Sequence, residues 1–144
     1  MVETVLVPFD GSPMSERALE YVTREHPDAA VHLLHVIDHV ETSYEFDWTA
    51  VPGPLDNWSQ EATGRGRDII DDARETAQRA GLTVTESELV VGRPANSIVE
   101  YGDDHEIDHV VMGTHGRGGL SRFILGSVTE RVLRRSTVPV TVVR

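Results

Sequence analysis

Apolar residues along the chain come in short, β-branched runs separated by stretches with helical spacing. Thr4-Val5-Leu6-Val7 is the first run, the pattern of a strand buried on both faces of a parallel sheet. It stops at Pro8, and Asp10-Gly11 supplies turn chemistry. Ser12-Pro13 reads as an N-cap followed by proline at the first helical position. Ala18, Leu19 and Val22 then fall on one helical face, and His26-Pro27 ends that helix. A second strand, Val31 to Ile37, is apolar apart from its histidines. Residues 38–56 show no period and read as a long connection. A helix from Trp58 to Ala80 ends at Gly81, and Leu82 to Val91 forms a third strand. Gly92-Arg93-Pro94 opens a short helix reaching Tyr101-Gly102, and Ile107 to Met112 is the fourth strand. A glycine-rich loop, a helix from Ser127 to Arg135 and a last strand from Val138 to Val143 complete the order.

Strands and helices therefore alternate from end to end. That order predicts an α/β fold, a three-layer α/β/α sandwich in which helices cover both faces of one parallel sheet. A length of 144 residues predicts a single domain spanning 1–144. Ligands of such sheets bind beyond the carboxyl ends of the strands, where the strand order reverses. Three places qualify: Pro8-Phe9-Asp10, Asp38 onward, and Gly113 onward.

Composition narrows the chemistry. Cysteine is absent, which removes disulfides, thiolate metal sites and cysteine nucleophiles together. Nothing approaches 18 consecutive apolar residues, so no membrane span is expected. The first residues carry no basic region followed by an apolar stretch, and a cytoplasmic location is the expectation. A net charge of −11 disfavours nucleic acid and anionic membranes as partners. All 13 basic residues are arginine, set against 24 acids, a balance that resembles proteins of salt-loving organisms. The charge is uneven. Residues 111–144 hold six Arg and one acid, Glu130, for +5, while residues 1–110 hold seven Arg and 23 acids, for −16. A basic segment on an acidic chain suggests a local anion site; a solvated Arg-rich helix would look the same.

The candidate chemistry centres on Gly113-Thr114-His115-Gly116-Arg117-Gly118-Gly119, which follows a strand directly and precedes a helix opened by Gly126-Ser127. Glycines let backbone N–H groups approach an anion, and a helix N-terminus adds unpaired donors. The alternative is an ordinary glycine-rich loop. A Walker loop is excluded because the chain has no lysine, and the dinucleotide fingerprint fails because Ser121 stands where its last glycine should be. Ser127-Val128-Thr129-Glu130 has the form of a capping box, with Ser127 as N-cap; Ser127 could also serve a phosphate. Asp10 is either a turn residue bonding its own backbone or a ligand for a ribose hydroxyl, a base edge or a metal ion.

Several tempting motifs fail on geometry. His105-Glu106-Ile107-Asp108-His109 matches a zinc-protease pattern, but the pattern requires a helix and here a strand begins inside it. On a strand those histidines would stand more than ~10 Å apart. His32 and His35 face opposite sides of their strand and, like His39, read as structural histidines. No G-x-S-x-G elbow supports a serine hydrolase.

Taken together, these residues resemble the universal stress protein family, and its nucleotide-binding subgroup in particular. The subgroup's signature is Gly, two residues, Gly, nine residues, Gly, then Ser or Thr; here it is Gly113, Gly116, Gly126 and Ser127. Val5-Leu6-Val7-Pro8-Phe9-Asp10-Gly11-Ser12, Leu34-His35-Val36-Ile37 and Ser136-Thr137-Val138-Pro139-Val140 are similar to further family segments. The resemblance implies an adenine nucleotide alpha hydrolase-like fold, with a five-stranded parallel sheet in the order 3-2-1-4-5. It implies ATP, or another adenine nucleotide, in the carboxyl-end cleft, with Mg2+ or Mn2+ bridging the phosphates. Pro8, Asp10 and Val36 would line the adenosine pocket, Val36 through its main chain, and Met112 and Gly113 the cleft floor. His115, Gly116, Arg117, Gly126, Ser127 and Val128 would surround the phosphates through backbone amides and the Ser127 hydroxyl.

The family pattern implies a nucleotide-dependent sensor or regulator of the stress response, acting on a downstream protein. No positioned general base for water is evident, so hydrolysis would be slow at most and no catalytic residue is assigned. A nucleotide-independent interaction module of the same fold is the alternative. The resemblance also implies a homodimer through strand 138–143, an apolar edge that a monomer would leave open.

Overall fold

The computed structural model of the chain describes residues 2–38, 55–114 and 125–144. In chain order they form β1 (Thr4–Pro8), α1 (Pro13–Glu25), β2 (Ala30–Ile37), α2 (Leu55–Arg79), β3 (Thr83–Val91), α3 (Pro94–Asp104), β4 (His109–Gly113), α4 (Ser127–Arg135) and β5 (Val140–Val143). The five strands make one sheet in the order β3-β2-β1-β4-β5, every pair parallel. Both the alternating order and the 3-2-1-4-5 arrangement expected above are present.

Alternation along each strand divides the core into two layers. Val5 and Val7 of β1, with Val31 and Leu33 of β2, face Ala18, Leu19 and Val22 of α1 and Ile70, Ala73 and Ala77 of α2. Leu6 and Leu34 point the other way, against Ile98 and Tyr101 of α3 and Val132 of α4. The central strand is closed to water on both faces: Val5, Leu6 and Val7 are all fully buried. This is why its sequence runs apolar without alternation.

Boundaries differ from the sequence expectation where local chemistry intervenes. The Asp108 N–H still bonds the Thr4 carbonyl, yet β4 begins at His109, after Glu106 takes a left-handed φ of 51°. The last strand begins at Val140 instead of Val138. Ser136 Oγ accepts from the Val138 N–H and donates to the Val138 carbonyl, which turns Val138 out of the ladder. The second helix starts at Leu55, three residues earlier than Trp58. The long connection expected over 38–56 lies, except for its two ends, outside the described residues.

The strand order reverses between β1 and β4, which lie side by side with Val5 opposite His109 and Leu6 opposite Val110. The carboxyl ends of these two strands, Pro8 and Gly113, therefore flank the crevice where such folds take ligands.

Candidate functional site

The first wall of the crevice is the turn from β1 into α1. Phe9 is buried, its N–H bonds the Leu34 carbonyl, and its own carbonyl pairs with His35 Nδ1 at 2.7 Å. The Phe9 carbonyl can only accept, so Nδ1 carries the proton of that bond. Asp10 follows, and one carboxylate oxygen accepts from the Ser12 N–H at 2.9 Å. That is the local turn bond expected of Asp10. Gly11 takes φ +80°, a left-handed conformation that favours glycine. Ser12 caps α1 by accepting from the Ser15 N–H, with Pro13 in the first turn, as its sequence predicts. Val36, near the end of β2, is half-buried and packs on the α3/α4 layer.

The second wall is where β4 hands over to α4. Met112 is buried on the α3/α4 face, and Gly113 ends the strand. A Cβ on Gly113 would lie 2.6 Å from Met14 Cβ and 3.0 Å from two Met14 backbone atoms. The first glycine of the signature is therefore required by the approach of α1. Thr114 is a junction: its N–H bonds the Val143 carbonyl of β5 at 2.9 Å, and its carbonyl accepts the Gly126 N–H at 2.7 Å. The chain leaves the sheet at Thr114 and is tied back to the same residue at Gly126.

The capping box expected at Ser127 is not formed. Gly126 is the N-cap of α4, Ser127 is the first helical residue, and among the described residues no side chain caps the helix. Glu130, which would have reached back, pairs instead with Arg134 one turn on, at 2.9 Å. Ser127 is exposed and Val128 half-buried, both in the first turn. Gly126 has no side chain to accept from the leading N–H groups of α4, which form the positive end of the helix dipole at the carboxyl end of β4. Arg134 and Arg135 sit in the last turn, where they complement the opposite end of that dipole. They belong to the helix as its solvated basic face, with Arg135 bonding Asn96 of α3.

Pro8, Asp10, Val36, Met112, Gly113, Gly126, Ser127 and Val128 thus all fall at the carboxyl ends of β1, β2 and β4 or in the first turn of α4 and its cap. His115, Gly116 and Arg117 lie outside the described residues. Thr129 was missed by motif reading. It is buried, and its hydroxyl donates to the Gly113 carbonyl at 2.9 Å. The available signal was a threonine inside a helix on the face shared with Val132, which asks for a partner once buried.

The described histidines take structural roles, while His39 lies outside the described residues. His32 Nδ1 pairs with the Tyr101 hydroxyl at 2.9 Å, and His105 stacks on the Tyr101 ring at 3.7 Å between centroids. Burial pushes the Tyr101 hydroxyl up to about 12, helped by the charges of Glu88 and Glu86. His105 ends α3 and His109 begins β4, so the two histidines of the zinc-like pattern never share a helix face. His109 instead pairs with the Thr141 hydroxyl and lies near the His26 ring. Among the described residues no group of three His, Cys, Asp or Glu is placed to hold a metal ion. No helix among them is long and apolar enough to cross a membrane.

Known proteins resemble the chain along its full length. Universal stress protein MJ0531 of Methanocaldococcus jannaschii is 33% identical, covering 100% of this chain and 83% of its own. Universal stress protein YxiE of Bacillus subtilis is 32% identical with 100% of both chains covered. The solved structure of M. jannaschii MJ0577 superposes with a TM-score of 0.81 at 31% identity, over 99% of this chain and 96% of that one. A universal stress protein solved in complex with cAMP has a TM-score of 0.67 at 25% identity, covering 99% of this chain and 97% of that one. The model of the universal stress protein family matches residues 1–144, and the chain belongs to that family.

Proposed function

We propose that this chain binds an adenine nucleotide, ATP in the first place, in the crevice between β1 and β4. The observation that carries the reading is the first turn of α4. Among the described residues no side chain caps it, and the Gly126–Thr114 bond holds it at the carboxyl end of β4. A helix start presented this way at a topological switch point suits a phosphate group. The relative solved with cAMP, 25% identical, supports an adenine ligand. Asp10 and the main chain at Val36 would meet the adenosine; Gly116, Arg117, Ser127 and Val128 would meet the phosphates.

A divalent ion, Mg2+ or Mn2+, would sit on phosphate oxygens, since the described side chains offer no three-ligand cluster of their own. The chain would act as one cytoplasmic domain, a nucleotide-dependent sensor or regulator in the stress response. Slow hydrolysis is the most it would perform. It would work as a homodimer joined along β5.

Mass spectrometry of small molecules retained by the native protein, followed by calorimetry with ATP, AMP and cAMP, tests this directly. An adenine nucleotide should co-purify, ATP should titrate more weakly after EDTA treatment, and Gly116→Val should abolish binding. Absence of retained nucleotide together with no heat from any of the three would leave the nucleotide-independent interaction module as the reading.

A further inference from the structure

Thr129 is one of four buried polar residues among those described, 2% exposed in the first turn of α4. Its hydroxyl does not serve its own helix. It donates to the Gly113 carbonyl at 2.9 Å, while the Gly126 N–H donates to the next carbonyl, Thr114, at 2.7 Å. Two consecutive carbonyls at the end of β4 thus each receive one donor from the start of α4. One bond alone would leave a hinge; two fix both the distance of the first turn from the sheet and its rotation about the helix axis.

We propose that Thr129 is a positioning residue for phosphate recognition, a role that rests on the adenine-nucleotide reading above. It touches no ligand. Its bond sets where the Ser127 and Val128 N–H groups point, and a phosphate is bound by such groups only when they converge on it. The proposed adenosine contacts lie instead at Asp10 and Val36, beyond β1 and in β2, whereas the Thr129 hydroxyl bonds the end of β4. Its removal should therefore weaken binding of the phosphates and spare the nucleoside. A merely structural threonine would weaken both alike.

Calorimetric titration of ATP and adenosine against the full chain separates these cases. Thr129→Val is nearly isosteric and lacks the donor. It should lose about tenfold in ATP affinity, a typical consequence of one missing buried hydrogen bond, with adenosine affinity unchanged. Thr129→Ser keeps the hydroxyl and should restore the wild-type ratio. If the valine variant does not fold, Thr129→Ala reads the same ratio. Wild-type ATP affinity in the valine variant overturns the proposal. So does an equal loss for ATP and adenosine, or a serine variant as impaired as the valine one. A wild-type protein that binds neither ligand removes the nucleotide reading itself, and this inference falls with it.

Discussion

Gly113 and Met14 are packed so closely that a single added methyl would stand 2.6 Å from Met14 Cβ. Two of the three nearest atoms are backbone, so they cannot swing aside as a side-chain end could. The glycine that opens the nucleotide signature therefore first serves the packing of α1 on β4, and only through that packing the shape of the crevice.

Gly113→Ala should accordingly destabilise the fold by about 1–3 kcal/mol, the usual cost of overpacking a closed site. Gly64 is the contrast. It lies in α2 with nothing within 4 Å of a Cβ, so Gly64→Ala should stabilise by about 0.5–1 kcal/mol through helix propensity. Urea unfolding of both variants beside the wild type checks the pair. Equal midpoints for Gly113→Ala and wild type would show that α1 can retreat without loss.

The sheet was legible because its signals are local and redundant. Val5-Leu6-Val7 is apolar without alternation, Ser12-Pro13 marks the start of α1, and both features survive in the structure. The start of α4 was half legible. Ser127 and Glu130 stand at capping-box spacing, but that motif competes with two tertiary bonds. Once Gly126 is tied to Thr114 and Thr129 to Gly113, the helix begins one residue earlier than the motif implies. Nothing in the local sequence announces a bond across sixteen positions between a side chain and a strand-end carbonyl. The close approach of Met14 to Gly113 is hidden for the same reason, since it joins α1 to β4 across the sheet.

Two half-buried imidazoles give the stability a pH dependence. His32 is held below its ordinary value of 6.5 mainly by burial and further by His105, with Glu86 and Glu88 opposing. His109 is lowered by burial and then by the neighbouring His26. A depressed folded pKa means the native state prefers the neutral ring. The stabilisation is present in full above the unfolded value near 6.5 and is lost as pH falls through the lowered folded values. Denaturation midpoints should therefore fall between pH 7.5 and 5, and His109→Asn should make that slope shallower. An unchanged slope in the variant would remove His109 from the account.

Exposed acids are crowded on α2. Asp68, Asp71, Asp72 and Glu75 all face water, and three or four residues separate Asp68 from Asp71 and Asp72, and Glu75 from Asp71 and Asp72. Like charges at those spacings repel on a helix surface. With a net charge of −11 and no lysine, that repulsion is global as well as local. Screening shortens from about 30 Å at 0.01 M salt to about 3 Å at 1 M, so added salt should relieve it. Thermal melts should rise from dilute buffer to molar KCl. Asp71→Asn with Asp72→Asn should raise the low-salt melt most and narrow that difference; a salt-independent melt would exclude charge repulsion as a control of stability.

The two edges of the sheet are built differently, and that difference bears on assembly. β3, at one edge, carries the exposed carboxylates Glu86 and Glu88, and its ladder with β2 shifts register between Val31 and His32. Charges and irregularities of this kind keep an edge from pairing with another chain. β5, at the other edge, reads Val-Thr-Val-Val, with no charge until Arg144. The Pro139 and Val143 carbonyls accept from Val110 of β4 and from Thr114 just beyond it, so by strand alternation the polar groups of Val140 and Val142 face outward. An antiparallel, two-fold pairing of β5 with a second copy would satisfy them and cover the valines. Val140 also packs on the α3/α4 core, so Val142 is the cleaner position to change. Val142→Asp would set two carboxylates close to each other across the two-fold seam. In molar KCl the wild type should sediment as a dimer and Val142→Asp as a folded monomer with an unchanged circular-dichroism spectrum. A wild type that sediments as a monomer would show that this edge closes without a partner copy.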